Sequence, residues 1–151
     1  MHKMRFIFLV FLILCLTGCA EQKVLTDEEY FKATTDIILE FKNANKELFD
    51  GLEVYVQDNS KYKQMQEPAQ KALDIISKEH ELISSMQPVP GWEDRHNELV
   101  SHLAYFEGFA REALRTSKNG DATDLGIQAS KYMYQLKAID RLSEHYMAKI
   151  Q

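Results

Sequence analysis

Two cysteines, three prolines and a single tryptophan are all that this chain of 151 residues contains of those types, and its bases are outnumbered by its acids. Each shortage excludes something. Both cysteines, Cys15 and Cys19, lie within the first twenty residues. Beyond them there is no thiol for a disulfide, a metal, a c-type haem or a covalent nucleophile. The bulk of the chain must therefore be held by packing alone. Prolines occur only at Pro68, Pro88 and Pro90, which leaves long stretches where a helix meets no breaker. With 18 Lys and Arg against 23 Asp and Glu, the net charge is −5. No nucleic-acid partner is expected, because neutralising phosphates takes clustered basic side chains. Strand-like alternation, internal repeats and low-complexity segments are missing. So are a hydrolase nucleophile elbow, a phosphate loop and a zinc-protease helix motif. The reading is of a protein that is not an enzyme, with no catalytic residue, no metal site and no cofactor.

What is present begins at the first residue. Met1 to Arg5 carry two fixed positive charges, Lys3 and Arg5, and no acid. Phe6 to Leu16 form eleven consecutive apolar residues. A positive start, an apolar centre and small residues before a cut make a secretory signal. The run is too short for a spanning helix, which needs about 20 apolar residues to cross about 30 Å of hydrocarbon. Leu16-Thr17-Gly18-Cys19 resembles the lipobox of bacterial lipoproteins: Leu, a small residue, Gly or Ala, then Cys. That resemblance implies cleavage between Gly18 and Cys19 and attachment of diacylglycerol to the Cys19 thiol. Residues 1–18 are then a signal peptide, and 19–25 are the lipidated Cys and a short tether. The resemblance further implies a mature cell-membrane lipoprotein anchored on the extracytoplasmic face, with membrane lipid as its first expected partner. Two acyl chains hold a protein stably where one does so only marginally. Loss of Lys3 and Arg5 with the signal takes the net charge from −5 to −7.

Residues 26–151 read as one domain, large enough for a real core. Thr26-Asp27-Glu28-Glu29 is a capping box that opens a helix over about 26–57. Tyr30, Thr34, Ile37, Phe41, Ala44, Leu48, Gly51 and Tyr55 follow at steps of four and three, the spacing of a helix packed lengthwise on neighbours. Gly51 is its weak point, since Gly costs about 1 kcal/mol against Ala in a helix interior. After a turn at Asp58-Asn59-Ser60, a second stripe runs through Tyr62, Met65, Ala69, Ala72, Leu73, Ile76, His80, Ile83 and Met86. Pro68 either kinks that helix or restarts it in its first turn. The third stripe is Trp92, His96, Leu99, Leu103, Phe106, Ala110 and Ala113, stopped at Asn119-Gly120. Asp121 then caps a fourth helix with Leu125, Ala129, Tyr132, Leu136, Ile139, Ser143, Tyr146 and Ile150 along one face. Four helices of roughly 25 to 32 residues joined by short turns predict an all-α, up-down-up-down antiparallel four-helix bundle.

Few residues in this pattern suggest chemistry. Glu93 and His96 have the i, i+3 spacing of a di-iron ligand pair. Such a site needs a second Glu-x-x-His and two further Glu, and neither His80, His102 nor His145 has a Glu three residues before it. Haem between a Met and a His is the other bundle cofactor, with Met65, Met86, Met133 or Met147 opposite His80 or His96. Met at stripe positions is, however, the usual flexible core filler. His96 and Trp92 are kept as a candidate pH-sensitive or ligand contact, with the His96 ring expected to bond the Pro88–Gly91 turn. Tyr105, Phe109 and Tyr134 fall outside the packed stripes, as do Leu39, Phe49 and Ile127. If exposed together, Tyr105, Phe109 and Tyr134 form a partner surface. The function expected is a membrane-anchored, extracytoplasmic interaction or structural module of the cell envelope, docking an envelope protein. The alternative is a carrier bundle for a small ligand, a metal or haem.

Overall fold

The computed structural model describes residues 25–151, and they form an antiparallel bundle of four long helices. The lipobox Leu16–Cys19 and the signal, residues 1–18, lie outside the described residues, as does the tether up to residue 24. Helix α1 spans Asp27–Gln57, α2 Gln66–Ser85, α3 Glu93–Asn119 and α4 Thr123–Met147. A seven-residue 3-10 segment, Asn59–Met65, joins α1 to α2. No described helix is long and apolar enough to cross a membrane.

The capping box forms as its spacing predicts. The Thr26 hydroxyl accepts from the Glu29 amide at 3.3 Å, and the Thr26 amide donates to the Glu29 carboxylate at 2.9 Å. From there the α1 stripe is buried from Tyr30 to Gly51. Gly120 ends α3 in the left-handed region (φ 75°), where a Cβ is strained. The second helix departs from the expected length. Its stripe begins at Tyr62, but the α-helix starts at Gln66 and has 20 residues, with Pro68 in its first turn. A proline there costs no hydrogen bond, because first-turn amides have no intrahelical acceptor. The preceding 3-10 segment carries Met65 into the core. Asp121 is one residue too early to be the cap of α4, a place that Ala122 takes without a side-chain bond. Asp121 still accepts from the Thr123 amide at 3.1 Å and from its hydroxyl at 2.8 Å.

Contacts between remote residues establish the topology. Tyr30 at the start of α1 meets His96 at the start of α3 and Tyr146 at the end of α4. At the other end, Gly51 of α1 lies against Pro68 of α2, and Gly120 after α3 lies against Tyr62. Each helix packs on its chain neighbours, and α1 closes the ring on α4. Phe41, Phe106, Ile76 and Ile139 sit fully buried in the interior. Helix α4 is the thinnest contributor: of the stripe expected along it, Ala129 is exposed, and Ile150 lies beyond its end and is 44% exposed.

Candidate functional site

The seam between α1 and α4 is tight over part of its length and open over the rest. Lys42 of α1 pairs with Asp140 of α4 at 2.9 Å. One turn on, the Tyr132 hydroxyl donates to the Asn45 side-chain oxygen at 2.9 Å, both groups being buried. Burial pushes the Tyr132 hydroxyl up to about 12, so it stays a donor at any physiological pH. Past that bond the two helices leave a groove of about 410 Å³. Phe49, Leu52, Tyr55 and Val56 form the α1 wall. Leu125, Gly126, Ala129, Tyr132 and Met133 form the α4 wall, and Phe109 of α3 is at its base. The lining is almost wholly apolar. Phe49 is 47% exposed, Met133 56% and Val56 80%, so three large apolar side chains face water around one groove. The small residues Gly126 and Ala129 account for the gap, since a larger side chain at either position would occupy it.

These positions revise the expected partner surface. Phe109 is buried at 2% exposure, with its ring 4.9 Å from that of Tyr132. Tyr105 is half-buried and its hydroxyl donates to the Gln128 carbonyl at 2.5 Å. Tyr134 is 68% exposed. The three do not make one exposed patch, because a bundle core is wider than a single seam and takes Phe109 and most of Tyr105 into it. The exposed apolar group is Phe49, Val56 and Met133 instead. A second stripe, Phe49-Leu52-Val56 at steps of three and four, signals this in the sequence.

Trp92 and His96 lie at the opposite end of the bundle. His96 is buried, and its Nδ1 is 3.1 Å from the Tyr30 hydroxyl, which is 3.4 Å from the Tyr146 hydroxyl. The expected bond from His96 to the Pro88–Gly91 turn gives way to this relay, because α1 and α4 both turn tyrosines inward at that level. Burial lowers the His96 imidazole pKa, which keeps the ring neutral. Burial first, then the bond to Tyr30, raises the Tyr146 hydroxyl. In the tautomer that carries its proton on Nε2, Nδ1 accepts from the Tyr30 hydroxyl, which is then free to accept from Tyr146. Trp92 packs edge-on against Phe31 at 4.8 Å between ring centroids and lies tilted against Tyr146 at 5.0 Å. Arg95 and Lys149 lie over its ring at 5.0 and 5.7 Å.

Other polar groups that the stripe pattern did not flag are Glu79, His102 and Asn45, all buried. His102 bonds Gln135 through Nδ1 and approaches Glu98 at 3.4 Å through Nε2. His80 bonds Glu107 at 2.8 Å, which with Arg111 holds that carboxyl below the usual range. Among the described residues, no three His, Cys, Asp or Glu side chains come together in a way that would hold a metal ion. The fold defines an all-α four-helix bundle with an apolar groove at one end and a buried tyrosine–histidine relay at the other. Neither a protein-family model, nor a curated protein, nor a solved structure matches this chain.

Proposed function

We propose that this chain is a lipid-anchored protein of the extracytoplasmic membrane face, held by Cys19, whose bundle docks another envelope protein without catalysing a reaction. The observation that carries the docking half is the α1–α4 groove with Phe49, Val56 and Met133 exposed around it. Desolvating large apolar and aromatic side chains is what gives interface centres their energy. The groove suits an apolar helix face, since its two walls are helices and a third completes their packing. Its place on the bundle fits that role. Phe49 to Val56 lie roughly 33–44 Å along α1 from Asp27, at 1.5 Å per residue. The tether from Cys19 to Leu25 reaches about 20 Å at most. The groove therefore stands at the outer end, presented away from the bilayer.

The test is co-purification of the lipidated chain from native envelopes after crosslinking, with wild type beside Val56→Glu and Met133→Glu. A specific envelope protein recovered with wild type and lost with both variants supports the proposal. The same recovery from all three overturns the groove assignment. The apolar lining favours one second reading, a carrier for a small hydrophobic ligand, because the volume falls within the ordinary range of ligand pockets. A saturable signal from 1-N-phenylnaphthylamine that Met133→Glu abolishes, with no protein partner recovered, would support the carrier instead.

A further inference from the structure

A second cavity, about 460 Å³, opens between the first turns of α3 and the last turns of α4. Asp94, Arg95 and Glu98 line it from α3, and Arg141, Leu142 and His145 from α4. Its charges are mixed and balanced: two guanidinium groups and two carboxylates. They are not spent on one another. Among the described residues, no carboxylate lies within ion-pair distance of Arg95 or Arg141. Arg95 lies over the Trp92 ring, and Glu98 reaches His102 at 3.4 Å. The crevice thus offers separate sites for an anion and a cation, within one cavity.

We propose that this crevice holds the zwitterionic headgroup of a membrane phospholipid, its phosphate between Arg95 and Arg141 and its ammonium toward Asp94 and Glu98. The guanidinium fork is the side chain best matched to phosphate oxygens. A purely anionic headgroup would meet the two carboxylates, and a purely cationic ligand the two arginines, so neither uses the whole cavity. Position selects a lipid as the source. Asp94 and Glu98 lie in the first two turns of α3, level with Tyr30 near the start of α1. The chain leaves for Cys19 from that end, and the tether confines it to within about 20 Å of the anchor. Trp92, beside the cavity, is of the type that settles at the headgroup level. This inference rests on the lipid-anchor reading.

Trp92 is the only tryptophan, so its emission reports on Arg95 directly. The full lipidated chain is placed in vesicles of phosphatidylglycerol alone, or in vesicles of phosphatidylethanolamine with phosphatidylglycerol. Soluble glycerophosphoethanolamine is then titrated into each. The expected result is a saturable change in Trp92 emission in the first vesicles and none in the second, where the bilayer already fills the crevice. Arg141→Gln, an exposed substitution, should weaken half-saturation about tenfold or more while far-UV circular dichroism stays the same. No response in phosphatidylglycerol vesicles, or an equal response to inorganic phosphate, overturns the zwitterion site. A response in both vesicle types overturns the bilayer as its source, and an unchanged Arg141→Gln titration overturns the assignment of residues. Failure of the anchor itself is read separately, as an unacylated N-terminal peptide or as protein that does not float with vesicles.

Discussion

His96 can accept from Tyr30 only while Nδ1 carries no proton. Protonation makes both ring nitrogens donors, so the Tyr30 hydroxyl must then accept from Nδ1 inside a packed layer. Its pKa is lowered in the folded state by burial, so the unfolded chain binds the extra proton first. The contribution of His96 is complete above the unfolded value of about 6.5 and is lost as pH falls from there through the folded value. Urea unfolding midpoints measured from pH 7.5 to 5 should therefore decline, and His96→Gln should flatten that decline. Glu107, lowered by its bond to His80, acts only further down, below the ordinary Glu range. Tyr132→Phe tests a different bond. It leaves the buried Asn45 oxygen without its donor, a loss of about 1–3 kcal/mol in unfolding free energy. An unchanged midpoint would mean that water replaces the hydroxyl there.

Gly51 shows how an element's sequence can point the wrong way when read by itself. By helix propensity alone, Gly51→Ala should stabilise α1. In the fold an added Cβ would lie 3.0 Å from the Pro68 Cβ and 3.1 Å from its Cγ, and the proline ring is held in the first turn of α2. Gly51 is thus the place where α1 lets the head of α2 come close. Gly51→Ala is expected to destabilise by about 1–3 kcal/mol in chemical denaturation, the usual cost of overpacking a core. A gain in stability would show that Pro68 yields easily. At the start of α4, Asp121 bonds both the amide and the hydroxyl of Thr123, and Arg115 reaches Asp124 at 3.2 Å. Asp121→Ala should speed amide hydrogen exchange over the first turns of α4, where packing is already thin, and leave α2 unaffected.

For the whole molecule, the proposed anchor at Cys19 would put the start of α1 toward the bilayer, and the helices determine what each end presents. The Trp92 end lies level with the start of α1, while the apolar groove lies about 33–44 Å further along that helix. Val56 is 80% exposed and Met133 56%, so a charge at either position should shift the unfolding midpoint little while removing any partner docked there. A large loss of stability in both variants would instead make the groove a structural part of the core. Mass spectrometry of the N-terminal peptide from native cells tests the anchor: a diacylglyceryl mass on Cys19 is expected, and an intact Met1 start would refute it.

Local rules determined much of this protein. Periodicity placed four helices, the capping box placed the start of α1 at Thr26, and Gly120 placed the end of α3. These are legible because a helix satisfies its own backbone within a few residues and shows its buried face at a regular spacing. Side-chain partners were not legible in the same way. That His96 meets Tyr30 across 66 residues, that Phe109 is covered while Phe49 is not, and that Gly51 receives Pro68 depend on how neighbouring helices approach. Two helices of given pattern can pack closely or splay, and small side chains such as Gly126 and Ala129 decide which only once their neighbours are in place. Both cavities are gaps between helices, so it took the packed bundle to create them.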